Sequence, residues 1–462
     1  MEKENINQLL VSDPTRAVQV LSEKTIVLPP WETVLKKEYD SNLHPVMNKA
    51  IYRDIPHADG SLEHVTRVTS DLIKLSVKRM AEMTFGIPVK RVSQPENDRQ
   101  KEIVKFLENI FEKCHIDSVN LERGNMLFSA CEVVTLWFAV EHPNNIYGFQ
   151  SAIKLRCKNY CPSLGDRLYP YFDEYEDMQA MSIEYTRKVM DKEETYFDTY
   201  TAEMHVKLHQ TEGGWEVVEQ EKMQIGKIPC LYMYRPTPIW EKTASKVYEI
   251  EWSLSNNGNY LRKNSKPLFA IYADEEIPLD QELSENREFR TILQFPRGSS
   301  ANYITWSQAT ESLKFHVDKM EEEFWKELQL PDWSYEKMKS TPMSGEARKQ
   351  LFVDACMKVR EESGRIVEFL DREISVLKSY LKLMLPTDYH SDIDALQISS
   401  KITPYTMTDW SDKISSLTTA SGGKPIMSQR ECIEELGYSN DTDRTLDEIA
   451  EQERQSATEM TM

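Results

Sequence analysis

The chain of 462 residues lacks the features that announce most familiar functions. It has no run of the roughly eighteen apolar residues needed to span a bilayer as a helix, so it is not expected to be an integral membrane protein. Met1 to Leu10 show neither a basic n-region nor an apolar core, which predicts no secretory signal and a protein made and used in the cytosol. Seven cysteines, an odd number scattered along the chain, argue against a disulfide framework and for reduced thiols. There is no Walker A lysine loop, no GxGxxG after a strand, no HExxH and no GxSxG. ATP binding, dinucleotide binding, zinc-protease chemistry and α/β-hydrolase chemistry therefore have no support. Positive charge is also short: Lys plus Arg is 56 against 76 for Asp plus Glu, a net charge of −20. Such a surface repels phosphates, which argues against tight, sequence-reading DNA binding.

What is present is a soluble globular balance, 40% apolar and 29% charged, over a length that exceeds one ordinary core. Two or more domains, or one large elongated one, are expected. The most regular stretch runs from Trp306 to Leu385. Leu313, Val317, Met320, Phe324 and Leu328 recur at steps of three and four, with Lys314, Asp318, Glu321 and Glu322 facing water, and predict an amphipathic helix. Pro331 and Pro342 bound an interruption. Ser344 then offers an N-cap with Glu346 in the first turn. Phe352, Ala355, Val359, Ser363, Ile366, Leu370, Ile374, Leu377, Leu381 and Met384 predict a second helix up to Pro386, roughly 55 to 60 Å long. A helix of that length needs neighbours, from its own chain or from copies of it.

Upstream, residues 1–60 read as an arm leading into a domain. Val65, Val68, Leu72, Leu75, Val77 and Met80 predict a helix over Leu62–Met83, closed by Gly86 and Pro88, and Ile103–Phe111 predicts another. Gly124–Val140 reads as helix passing into a buried strand. Ser182–Val189, Thr195–Thr201, Glu203–His209 and Trp215–Glu219 read as an antiparallel sheet with a turn at Gly213-Gly214, closed by Gly226–Tyr234. A helix is expected from Trp240 to about Arg262. Residues 265–305 form an insertion with strand-like ends, Leu268–Tyr272 and Arg290–Phe295, around an acidic centre. A strand is predicted over Ala395–Thr403, followed by Tyr405–Leu417 and an acidic, partly helical tail from Ser428. No internal repeat is visible.

Each chemical candidate has a plainer reading. Cys157 and Cys161, with His115 and His142 upstream, suggest zinc but lack the second ligand pair of a structural site, so structural cysteines are the simpler reading. Carboxylate pairs such as Glu275 with Glu276 are common on an acidic surface. Tyr160, Tyr169, Tyr171, Phe172 and Tyr175 have the aromatic content of a base-stacking surface, but Asp166, Asp173, Glu174 and Glu176 interleave them where bases would be needed, which favours packing or a protein interface. Lys337 and Lys339, between the two central helices, fit either a phosphate contact or a solvated loop.

The order of motifs resembles the portal protein of tailed bacteriophages, the head-to-tail connector of the long-tailed type. Phe85-Gly86-Ile87-Pro88-Val89 after a strong helix, GKIPCLYMY over 226–234 before a helix, the helix ending near Leu328, and Met343-Ser344-Gly345-Glu346-Ala347 opening the long helix carry the likeness over Val65–Glu453. Arg348 stands where the family places an apolar residue. The resemblance implies an α+β portal fold with long stem and wing helices, a small β-containing clip, an antiparallel wing sheet and a helical C-terminal crown. It divides the chain into wing (1–238), stem helix (239–264), clip (265–305), second stem helix (306–328), tunnel loop (329–344), long wing helix (345–385), wing return (386–425) and crown with acidic tail (426–462). It further implies a non-enzymatic ring, usually of twelve copies, with no cofactor, at one capsid vertex of the virion. The ring would pass double-stranded DNA, nucleate head assembly with capsid and scaffolding proteins, and dock the large terminase and then a head-tail adaptor. The tunnel-loop residues Tyr335, Lys337, Met338 and Lys339 would face the DNA. The clip residues Glu275, Glu276, Asp280, Glu282, Glu285, Arg287 and Glu288 would face the terminase and adaptor. Two readings from other classes stand beside it: an acidic virion assembly protein without a channel, and a cytosolic enzyme with a carboxylate site in a pocket.

Overall fold

The computed structural model describes residues 6–23, 26–56, 60–190, 192–264, 269–272, 292–295, 307–332, 350, 352–405, 410–422, 425–437, 439 and 442–459. The chain divides into two compact units, one of residues 1–330 and 357–405 and the other of 331–356 and 406–462.

The first unit is α+β and opens with α1 (Ile6–Ser12) and α2 (Pro14–Leu21). Asp13 caps α2 by accepting the Arg16 N–H at 3.1 Å, and Pro14 fills the first helical position, where no N–H is needed. These helices are not a free arm. Leu10, Ala17, Val18 and Leu21 bury themselves against Ala180, Phe197, Val206 and Leu208 of a sheet nearly two hundred residues later. After α3 (Lys36–Tyr39) comes a two-residue ribbon, β1 (Ile55–Pro56) with β2 (Leu62–Glu63).

The helix expected over Leu62–Met83 is shorter: α4 runs Leu72–Phe85, and residues 64–71 are an extended strap. Periodicity misplaced the start because Val65 and Val68 keep helical spacing while their N–H groups are taken by side chains elsewhere. Then follow β3 (Lys90–Ser93), α5 (Asp98–Lys113) and α6 (Ile116–Ala130). Left-handed Cys131, at φ 65°, ends α6 and turns the chain directly into β4 (Glu132–Asn144), so the helix-to-strand passage in 124–140 is real.

β4 is central in a three-stranded antiparallel sheet between β5 (Ser151–Tyr160) and β11 (Cys230–Tyr234). A five-stranded antiparallel sheet holds β6 (Arg167–Phe172), β7 (Met178–Val189), β8 (Lys192–Thr201), β9 (Met204–Thr211) and β10 (Gly214–Lys222), in the order β10-β9-β8-β7-β6. The GKIPCLYMY strand therefore does not close this sheet; it pairs with β4 in the other. Cys230 and Tyr232 then reach the five-stranded sheet through side chains, in a core with Val134, Leu136, Leu168, Met181, Ile183 and Tyr200.

α7 (Ala244–Asn264) starts four residues after Trp240. The strand-like ends of the insertion form a parallel pair, β12 (Phe269–Tyr272) with β13 (Ile292–Phe295). α8 (Ser307–Leu328) and α9 (Val353–Met384) are the two central helices. α9 has 32 residues, about 48 Å at 1.5 Å per residue. The capping residue Ser344 lies outside the described residues. Where a strand was expected over 395–403, a short helix α10 (His390–Ala395) comes first. β14 (Ile398–Lys401) then pairs antiparallel with β3, more than three hundred residues away.

In the second unit α11 (Trp410–Ser421) packs against α12 (Gln429–Leu436), with the Cys432 thiol buried at the Leu417 carbonyl. Ser428 and Glu431 form a reciprocal capping box on α12, and left-handed Gly437 closes it. α13 (Thr442–Glu459) follows, so the tail is helical over much of its length.

Candidate functional site

Tyr335, Lys337, Met338 and Lys339, and the acidic set Glu275, Glu276, Asp280, Glu282, Glu285 and Glu288 with Arg287, lie outside the described residues. What the structure supplies is the framework that carries both segments: α7, α8 and their fastenings to the body of the first unit.

α7 is held by the strap. The Ser70, Val68 and Thr66 N–H groups donate to Glu251 Oε1 (2.7 Å), Ser255 Oγ (2.8 Å) and Asn259 Oδ1 (2.5 Å). The acceptors step by four along one helix face, about 6 Å, and the donors by two along an extended chain, about 6.6 Å. The near-equality of those rises lets a strap and a helix zip together over three rungs. Arg262 extends the zip, donating to the His64 carbonyl at 2.9 Å and the Thr66 hydroxyl at 2.7 Å. Gly258 leaves the room: a Cβ there would lie 2.8 Å from Thr66 Cγ2. Arg67 and Asp54 brace the strap from the other side at 2.8 Å.

The base of this contact is charged and buried. His44 places Nδ1 2.7 Å from Glu251 Oε1 and Nε2 2.8 Å from the Glu38 carbonyl. Both ring nitrogens face acceptors, and Glu251 Oε1 already takes the Ser70 N–H, so the ring is imidazolium. Burial opposes that charge, but the bonds to Glu251 and Glu38 outweigh it and the His44 pKa is raised.

α8 is fastened at its C-terminal end. Phe324, Trp325 and Leu328 are buried, Arg79 lies 4.0 Å over the Trp325 ring, and Lys246 pairs with Glu327 at 2.6 Å. Left-handed Gln329, at φ 56°, ends the helix, and Lys358 Nζ from α9 donates to the free Leu328 carbonyl at 2.5 Å. Burial, and then the neighbouring Arg235, push the Lys358 pKa down to about 8. Further along, the amphipathic stripe is incompletely covered. Leu313, Val317 and Met320 are only half-buried, and Phe315 is 71% exposed.

α9 is tied in by a buried ion pair that the sequence did not reveal. Arg123 of α6 meets Glu373 at 2.6 Å, both side chains about fully buried, while its other donors reach Thr135 of β4 (2.9 Å) and Asn120 (2.8 Å). Trp137 donates to the same Glu373 oxygen at 3.0 Å, and Tyr380 donates to the Trp137 carbonyl at 2.9 Å. Glu373 falls on the inward face of α9 beside Phe369, Ile374, Val376 and Leu377. An acid on an apolar face was the available signal.

The remaining candidates resolve as packing. Cys157 lies on β5 and Cys161 just beyond it, His142 is exposed and bonded to the Pro143 carbonyl, and no group of three metal-ligating side chains occurs among the described residues. Tyr160 sits in the core between the sheets, Tyr169 and Tyr171 pack under α1 and α2, and only Tyr175 is open, at 76% exposure. No helix of the described residues is long and apolar enough to cross a membrane.

Comparison with known proteins gives a match to one family model, described as phage portal protein, SPP1 Gp6-like, over residues 33–459. Among solved structures, the chain is similar to a chain of the virion of a native gene transfer agent particle. The identity is 12%, over 92% of this chain and 99% of that chain, with a TM-score of 0.40. It is likewise similar to a chain of the neck of the empty particle, computed with C6 symmetry, at 12% identity over 91% and 98%, with a TM-score of 0.39. No curated protein matches the sequence.

Proposed function

Since the chain belongs to the phage portal protein family of the SPP1 Gp6 type, and is thus a structural, non-enzymatic component of a phage-like virion, we propose that it forms the ring through which double-stranded DNA enters and leaves the head. The observation that carries the proposal is the family match over most of the chain, to which the fastened α7–α8 pair adds a physical reason. In the proposed ring, a closed cycle of the family's twelve copies, heterologous contacts between copies cover the half-buried stripe of α8 and the length of α9.

On this reading α7 and α8 are the stem, residues 265–305 the clip, 329–344 the tunnel loop, 345–385 the long wing helix, 1–238 and 386–425 the wing, and 426–462 the crown. The net charge of −20 keeps a duplex from adhering along the channel wall, because each phosphate contact would add affinity and drag. Tyr335, Lys337, Met338 and Lys339 give the limited contact at the constriction. The acids Glu275, Glu276, Asp280, Glu282, Glu285 and Glu288, with Arg287, steer the basic surfaces of the large terminase and later the head-tail adaptor. The portal is assembled in the host cytoplasm with capsid and scaffolding proteins, and the hydrolysis that drives packaging belongs to the terminase.

The test is the double substitution Lys337→Ala/Lys339→Ala. Rings should assemble as in the wild type, while DNA packaging or retention in heads changes. Heads that package and hold DNA normally would overturn the assignment of these lysines.

A further inference from the structure

Two flanks of the first unit carry charge of opposite sign outside ion pairs among the described residues, although Glu194 of β8 stands across from Arg187 and Lys207 of β9 across from Glu219. On β5, Lys154, Arg156 and Lys158 alternate, so they share one face, opposite Val140, Phe138 and Leu136 of β4. Arg187 of β7 joins them through a chain of rings: Lys158 lies 4.3 Å over Tyr160, Tyr160 is 6.4 Å from Tyr185, and Arg187 lies 4.9 Å over Tyr185. These tyrosines hold two of the cations against the sheets without neutralising them. None of Lys154, Arg156, Lys158 and Arg187 meets a carboxylate in an ion pair among the described residues, although acids outnumber bases by 76 to 56.

The second flank is β10, the outer strand of the five-stranded sheet, three strands away from β7. Glu216, Glu219 and Glu221 are exposed and lie opposite His209, Lys207 and His205 of β9, so they too share a face. None of the three is in an ion pair among the described residues; Lys207 lies 5.1 Å over the Tyr196 ring instead. Both flanks mix charge with uncovered apolar surface: Val140 is 38% exposed beside the cations, and Val218 is 59% exposed beside the acids.

We propose that the basic flank on β5 and β7 of one copy of this chain docks on the acidic β10 flank of the next copy. Charge complementarity within one chain selects that occupant. Each flank repels its own kind, which excludes a dimer that pairs like with like, and basic-to-acidic contact carried on from copy to copy is the head-to-tail geometry that closes into rings. The inference rests on the ring reading above and names where neighbouring copies meet.

The experiment compares full-length wild type with two charge-reversed chains, Lys154→Glu/Arg156→Glu/Lys158→Glu and Glu216→Lys/Glu219→Lys/Glu221→Lys, by sedimentation velocity and negative-stain microscopy. Wild type should form rings. Each reversed chain alone should need at least about tenfold more protein to assemble, as several contacts turn repulsive, and an equimolar mixture of the two should recover assembly because each then meets its complement. Melting curves like that of the wild type establish that the reversed chains fold. The milder Lys154→Gln/Arg156→Gln/Lys158→Gln chain gives a second, repulsion-free reading and should assemble more weakly than wild type. Rings from either reversed chain at wild-type concentration, or a folded mixture that stays unassembled, would overturn the interface while leaving the ring intact. Wild-type protein that never forms rings would overturn both.

Discussion

At the scale of single residues, two buried charges carry the framework. Removing one partner of a buried pair leaves the other uncompensated, at a cost of about 3–5 kcal/mol. Arg123→Met should therefore destabilise the first unit by about that amount in urea unfolding, while Arg123→Met/Glu373→Leu recovers most of it. A double variant no better than the single would mean that the pair is not what holds α6 to α9. His44 gives a pH signature. Its folded pKa lies above the ordinary value of about 6.5, so the stability it confers is complete below that value and fades as pH rises through the folded pKa. Relative to His44→Gln, wild type should lose its advantage as pH rises above the ordinary imidazole value of about 6.5. An advantage independent of pH would contradict an imidazolium at this position. Neither pair was legible beforehand. Sequence shows Glu251 and Glu373 as acids among many, and only the inward phase of Glu373 on its helix set it apart.

At the scale of elements, periodicity served where a helix face or a strand alternation meets a core within the same stretch. It located α5, α8, α9 and the hairpins β7 to β10. It failed where distant partners decide. The strap over 64–71 has helical spacing but gives its N–H groups to Glu251, Ser255 and Asn259, and β11 leaves the neighbouring sheet for β4 because its partner is fixed by tertiary register. Close crossing of elements yields a further prediction. At Gly124 of α6, a Cβ would lie 2.8 Å from the Phe85 ring and 3.2 Å from Ala81 Cβ on α4. Gly124→Ala should lower the melting temperature, because overpacking costs of about 1–3 kcal/mol exceed the helix-propensity gain of about 1 kcal/mol. A melting temperature equal to or above that of the wild type would show that α4 and α6 separate freely.

At the scale of the whole molecule, the missing motifs, the acidic balance and the order of segments were enough to read the family from sequence, and the family model agrees over residues 33–459. The candidate site was legible only as position along the chain. Tyr335, Lys337, Met338 and Lys339 lie in sequence between two helices that the structure fastens at Leu328 and through α9, and they fall outside the described residues. The half-buried Leu313, Val317 and Met320, and the exposed Phe315, are the apolar surface of α8 that the proposed ring would cover. The central claim is that these surfaces close around a channel. Electron microscopy of the purified full-length protein, with class averages viewed down the particle axis, tests it most directly. The account predicts closed rings with an axial hole wide enough for a DNA duplex; compact particles without a hole, at every salt and protein concentration tried, would contradict it.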